Sequence, residues 1–185
     1  MTKKTKPVRK GMNIGKKPSV STVTARKGNT AATTSYRSKA SFGKKMEFVV
    51  IGQMLAEGLD VYVPVVDDHG VDCVIKKADG TFIEVQIKAR SNDIAVRNAA
   101  RFAGIVHNYR KDYYFVFYSE VLDTKWILSS KEFLNNCSTN VNGTNEGKRT
   151  ITFGGVTTDR KTGTKLPHRY PQYDKFVASD FSRFH

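Results

Sequence analysis

Apolar residues first take up a regular spacing near position 44, and the period changes several times before the chain ends. From Lys44 to Glu57 they recur at helical intervals, with Val50, Ile51, Met54 and Leu55 on one stripe and Gly58 as the stop signal. Three strand-like runs follow: Val61 to Val66, Asp72 to Lys76, and Phe82 to Lys88. The turn formers Asp67-Asp68-His69-Gly70 and Ala78-Asp79-Gly80 separate them, and the second of these is a hairpin signal. In the third run Ile83, Val85, Ile87 and Ala89 alternate with Phe82, Glu84, Gln86 and Lys88, so three polar side chains share one face.

Asp93 to about Tyr109 predicts a second helix, with Ala95, Ala99, Phe102, Ala103 and Val106 on one side and Arg97, Arg101 and Arg110 among the polar positions. Tyr113 to Tyr118 and Lys125 to Leu128 predict buried strands, and Ser129 with Glu132 forms a capping box that opens a short helix. Asn135 to Gly147 reads as an exposed loop, Arg149 to Phe153 as an edge strand, Thr157 to Gln172 as loop, and Ala178 to Phe184 as a terminal helix. The pattern as a whole describes one α/β domain over residues 44–185.

Residues 1–43 follow neither period. Their Lys, Arg, Ser, Thr, Gly and Ala offer too little apolar surface to offset ordering entropy, so a disordered arm is expected. Charge sharpens this division. The chain carries a net charge of +14, yet residues 1–45 hold 13 Lys or Arg and no acid, while all 17 acidic residues lie beyond them with 18 basic ones. A polycation of this kind releases counterions on meeting phosphates. The expected nucleic-acid contacts are Lys3, Lys4, Lys6, Arg9, Lys10, Lys16, Lys17, Arg26, Lys27, Arg37, Lys39, Lys44 and Lys45 in and beside the arm. Arg90, Arg97 and Arg101 would join them from the basic helix and the polar strand face. A solubilising tail, an import signal or a presequence are the other uses of such an arm.

No run approaches the roughly 20 apolar residues of a membrane span, and the start lacks the apolar core of a secretory signal. Cys73 and Cys137 stand apart without metal-ligand spacing, which argues against a disulfide framework or zinc finger and suits a reducing compartment. The expected location is the cytoplasm, associated with the nucleoid, or the nucleus in a eukaryote. His69, His107, His168 and His185 are scattered and read as surface or core.

Metal-assisted phosphodiester hydrolysis needs hard oxygen donors for Mg²⁺ or Mn²⁺, and a cation near the attacking water. Asp72 opens one strand while Gln86 and Lys88 lie on the next strand of the hairpin, so the three can meet. Glu47, beside the apolar stripe of the first helix, would join them if that helix packs on the sheet; its bland alternative is a charge favouring the helix dipole. The text KKMEFVVIGQMLAEGLDVYVPVVDDHGVDCVI followed by GTFIEVQIKAR resembles the PD-(D/E)XK nuclease superfamily, which includes restriction endonucleases and Holliday-junction resolvases. The resemblance extends more weakly through YYFVFY and KWILSSKEF, covering about residues 44–135.

The resemblance implies a restriction-endonuclease-like central mixed sheet flanked by helices. It makes Glu47 the helix acid, Asp72 the metal-bridging aspartate and Lys88 the catalytic lysine, with Glu47, Asp72 and Gln86 as the metal set. The sequence departs from the pattern at Gln86, where the superfamily usually has an acid; an amide oxygen ligates a hard cation but adds no charge. Asp67 is the rival aspartate, and Glu84 shares the face of Gln86. The function implied is a metal-dependent endodeoxyribonuclease acting by in-line water attack on DNA, with RNA and a homodimer left open. Two alternatives remain: a nuclease fold that binds DNA or RNA without cutting it, and a structural protein bound through its arm.

Overall fold

The computed structural model describes residues 39–66 and 69–185. The polycationic segment through Arg37 and the rival aspartate Asp67 lie outside the described residues, as does Asp68.

The first helix, α1 (Lys39–Ala56), starts five residues before the expected Lys44, because Phe42 is buried and adds a turn to the stripe of Val50, Ile51 and Met54. Leu55, expected on that stripe, is exposed. The helix ends as its glycine dictates. Gly58 has φ +84°, its N–H donates to Leu55 O at 3.0 Å, and Leu59 N–H donates to Met54 O at 3.1 Å. That is the paired closure of a Schellman motif, which favours a residue without Cβ at the left-handed position.

The strands β1 (Asp60–Tyr62), β2 (Cys73–Lys76), β3 (Phe82–Arg90), β5 (Tyr113–Ser119) and β6 (Thr124–Ser129) form one mixed sheet in the order β1-β2-β3-β5-β6. Only β3 and β5 run parallel. The β2–β3 turn is the predicted hairpin, with Gly80 at φ +83° and the Asp79 carboxylate accepting from the Thr81 N–H and hydroxyl. The run expected as Val61 to Val66 is cut to three residues, since Val63, Val65 and Val66 are exposed and pair with nothing in the ladder.

Parallel neighbours need a crossover, usually a helix. Here the expected helix over Asp93 to Tyr109 does not form. Its place is taken by a single 3-10 turn (Val96–Asn98) and a strand, β4 (Arg101–Ile105). Phe102 and Ile105, three residues apart, both reach the core because a bulge lies between them: Gly104 sits at φ +79° where the strand's pairing shifts between Ala103 and Ile105, a conformation that a helix interior cannot hold. The run at Arg149–Thr152 (β8) is the middle strand of a second sheet, β4-β8-β7, with β7 at Ser138–Thr139, and not an edge. The expected loop over Thr157 to Gln172 contains instead half of a hairpin, β9 (Gly154–Thr158) with β10 (Lys165–Arg169). The terminal helix shortens to a 3-10 turn, Ser182–Phe184. The capping box is present: Ser129 Oγ accepts from Glu132 N–H, and the Glu132 carboxylate accepts from Ser129 N–H at the start of α2 (Ser130–Asn136).

Two cores lie on opposite faces of the central sheet. Val50, Ile51 and Met54 of α1 pack on Ile75, Ile83, Val85, Ile87, Val116 and Ile127. The other core joins Phe102, Phe115, Phe117, Trp126, Phe133 and Phe153, rich in ring contacts such as Trp126 stacked on Phe153 at 4.7 Å. Strands β5 and β6 are apolar on both faces and buried on both; β3 is apolar on one face only. The polar face of β3 is where the sheet is left uncovered.

His107 belongs to the second core. Its Nε2 lies 2.8 Å from Ser130 Oγ among the rings of Tyr113, Phe115 and Phe133, and burial, aided by Arg110 and Arg149, lowers its pKa from the ordinary 6.5 to about 4. The unfolded chain therefore binds a proton that the fold refuses. Stability contributed by the neutral ring is complete above pH 6.5 and is lost as pH falls towards 4. Urea unfolding at pH 7.5 and pH 5 should show a loss of about 2 kcal/mol in the wild type that is absent from His107→Gln. Parallel losses in the two proteins would exclude His107 as the source.

Candidate active site

At Cys73, opposite Val85, the β2–β3 ladder ends and the two strands part. Asp72 stands in the fork. Its N–H donates to Val85 O at 2.9 Å, and its carboxylate Oδ2 accepts from the Ile87 N–H at 2.6 Å. The side chain thus replaces the backbone acceptor that β2 would have offered, and it fixes a negative charge against the peptide unit between Gln86 and Lys88. The field is felt next door: burial, reinforced by Asp72, pushes the Cys73 thiol up to about 12. That thiol is inert.

Gln86 and Lys88 project from the face of β3 away from α1, because the intervening Val85 and Ile87 belong to the core under that helix. Gln86 pairs in register with Phe115 and Lys88 with Phe117 of β5. The Gln86 amide lies against Gly70: a Cβ built on that glycine would fall 2.3 Å from Gln86 Nε2. Gly70 itself has φ +67°, follows His69 at φ +57°, and accepts from Tyr113 Oη at 2.7 Å. Arg110 braces the same turn. Its Nη1 donates to His69 O at 3.0 Å, its guanidinium lies over the Tyr113 ring at 4.4 Å, and its Nη2 is ion-paired with Glu84. Glu84, a candidate helper by face, is committed to that brace.

Beyond Gln86 the strand borders a cleft of about 390 Å³, with Lys88 and Arg90 on one side and Phe102, Gly104 and Val106 of the β4 segment on the other. Lys88 has no ion pair among the described residues. Arg90 donates Nε–H to Arg101 O at 2.8 Å and lies 5.5 Å from the centre of the Phe102 ring.

The structure therefore brings Asp72, Gln86 and Lys88 onto one stretch of β3. Glu47 comes from α1, the layer on the opposite face, and its partner is Lys44 at 2.5 Å. Met46, Val49 and Gln53 of α1 share a separate cleft with Tyr118 at the end of β5 and Lys125 at the start of β6. Among the described residues, no three His, Cys, Asp or Glu side chains gather as a metal set. Lys45, Arg97 and Arg101 are exposed, the last two from a turn and a strand, not from the helix expected to carry them. The brace of Arg110, Tyr113 and Gly70 escaped sequence reasoning; the left-handed His69-Gly70 pair in a turn was its one visible signal.

The fold thus sets an aspartate in a strand fork of a mixed sheet, with an amide and a lysine two residues apart on the next strand. The family described as "Restriction endonuclease" (Mrr_cat) matches residues 39–133, and the chain belongs to that family. A solved structure of a bacterial homing endonuclease, I-Ssp6803I, is similar at 19% identity and a TM-score of 0.45, covering 76% of this chain and 87% of that one. Comparison with curated proteins returns no match.

The contact between Gly70 and Gln86 can be tested against a built-in control. Gly80 has the same sign of φ, but a Cβ there would meet nothing within 4 Å. Gly70→Ala and Gly80→Ala should each lose about 1 kcal/mol in chemical unfolding, from backbone strain alone. Only Gly70→Ala should also push the Gln86 amide aside, which a shift of its side-chain NH₂ resonances by NMR would report. Unmoved Gln86 resonances in Gly70→Ala would remove the turn from the candidate site.

Proposed function

We propose that this restriction-endonuclease-family domain is a divalent-metal-dependent endodeoxyribonuclease that hydrolyses phosphodiester bonds by in-line attack of water. The observation that carries the reading is the Asp72 carboxylate held on Ile87 N–H between Gln86 and Lys88. Asp72 and Gln86 offer hard oxygen donors from neighbouring strands, which suits Mg²⁺ or Mn²⁺ and fits neither a thiolate nor an imidazole metal. Glu47, on the α1 layer and paired with Lys44, is not gathered with them among the described residues and would have to leave that partner to join the set. When bound, such a cation supplies Lewis-acid charge to the phosphoryl oxygens.

The protein's own residues do the rest. Asp72 is oriented by the Ile87 amide, so its donor geometry is set before any ligand arrives. Lys88 would donate a hydrogen bond to the attacking water's oxygen and offset the negative charge that develops on the phosphoryl group. The basic arm raises DNA affinity through counterion release.

Plasmid and branched DNA incubated with Mg²⁺ or Mn²⁺ should be cut by the wild type, with Lys88→Ala slower by about 10²-fold or more. Asp72→Asn should abolish cleavage and leave DNA binding nearly intact, while Gln86→Glu should tighten Mn²⁺ binding in a calorimetric titration because it adds a charge at the donor set. Identical titrations of the wild type, Gln86→Glu and Asp72→Asn, with no cleavage by the wild type, would assign the domain to DNA binding without chemistry.

Deleting residues 1–38 removes ten Lys or Arg and no acid while sparing Phe42, the first buried residue of α1. The shortened protein should fold, bind duplex DNA more weakly, and show a flatter dependence of log affinity on log salt. An unchanged slope would mean that the arm is not the electrostatic footprint.

A further inference from the structure

We infer that Arg90 seats the backbone phosphate next to the one that is cut, so that the cleft between β3 and β4 is the track of one DNA strand. The inference rests on the nuclease reading above for the place of the scissile phosphate, and on four observations of its own.

The first is spacing. Lys88 and Arg90 lie on one face of β3, two residues or about 6.7 Å apart along the strand, comparable with the step between successive phosphates of a nucleic-acid chain. The second is an unanswered charge. Arg90 has no carboxylate partner among the described residues, and Glu84, which shares its face, is taken by Arg110. The third is pre-orientation. One edge of the guanidinium is fixed by Arg101 O at 2.8 Å and one side rests near the Phe102 ring, so among the described residues only Nε of its three donor nitrogens is engaged. The fourth is cost. Burial, with Arg101 beside it, lowers the Arg90 pKa, so a cation is being held where the fold disfavours one. An anion in the cleft relieves that cost, and a planar guanidinium suits the two oxygens of a phosphodiester.

The competing role is a staple, in which Arg90 merely ties β3 to β4 through Arg101 O. The two roles separate in binding measured without divalent metal. With the full chain, a 16-base-pair duplex and EDTA present, Arg90→Gln should bind about 10-fold more weakly, and its salt slope should be shallower by about 0.9, the loss of one phosphate contact. Arg90→Lys keeps the charge and should keep the slope. If Arg90→Gln does not fold, Val106→Glu tests the same cleft: Val106 is 80% exposed at its wall, and a carboxylate there should weaken binding by a similar factor. A folded Arg90→Gln with wild-type affinity and slope, or a Val106→Glu protein that binds like the wild type, overturns the phosphate seat. A wild type that shows the Arg90-dependent slope but cuts no DNA with Mg²⁺ or Mn²⁺ upholds the seat and defeats the nuclease reading, so the two failures are distinct.

Discussion

The parting of β2 from β3 at Asp72 is the constraint on which the site depends. Two antiparallel strands in register satisfy one another's amides, and a strand that leaves its partner early exposes a donor that must be met elsewhere. Ile87 N–H is that donor, and the Asp72 carboxylate meets it at 2.6 Å. A charge-assisted bond of this kind is stronger than the backbone bond it replaces, so the fork is held open without leaving a buried group unpaired. The same bond delivers the carboxylate to the polar face of β3. Fold and candidate site therefore share one bond: removing the acid would loosen the sheet at the fork.

The open face persists because the second core stops short of it. Phe115 and Phe117 of β5 carry that core, while their register partners Gln86 and Lys88 on β3 are polar and cannot extend it. The β4 segment stands off by the width of the cleft, and its Gly104 bulge lets both Phe102 and Ile105 reach the second core. Turn 69–70 closes the other end, tied by Tyr113 and Arg110 to the parallel strand. Gln86 is thus bounded on one side by Gly70 and on the other by the cleft.

Much of this was legible in the sequence where the signal was local. Alternation in Phe82 to Lys88, the Asp-Gly hairpin, the Gly58 stop and the Ser129–Glu132 capping box each rest on neighbours within a few residues, and each is present in the fold. The failures are non-local. Asp93 to Tyr109 is rich in alanine at helical spacing, yet the bulky residues among them, Phe102 and Ile105, are claimed by a core contributed from β5, β6 and β8. Thr157 to Gln172 has no apolar run to announce a strand, and β9 and β10 pair mainly through their backbones, with Pro167 at the edge. The candidate residues Asp72, Gln86 and Lys88 were visible because two of them share a strand and the third opens its hairpin partner. The Arg110–Glu84 brace joins positions 26 apart in sequence, and no short pattern foretells such a pair.

Charge on the polar face of β3 explains what a glutamine can do where an acid is usual. Glu84 is neutralised by Arg110, Asp72 is engaged by a backbone N–H, and Lys88 and Arg90 face the cleft without carboxylate partners among the described residues. A second carboxylate at position 86 would lie against Gly70 in place of the amide, and burying a charge there needs donors that a neutral amide does not. The neutral amide avoids that cost. It also leaves the cleft cationic on balance, a charge that favours anions over metal ions. Under the proposed reading, metal and substrate then assemble together: the scissile phosphodiester brings the negative oxygens that the protein withholds, and the cation is bound tightly only when there is a bond in place to cut.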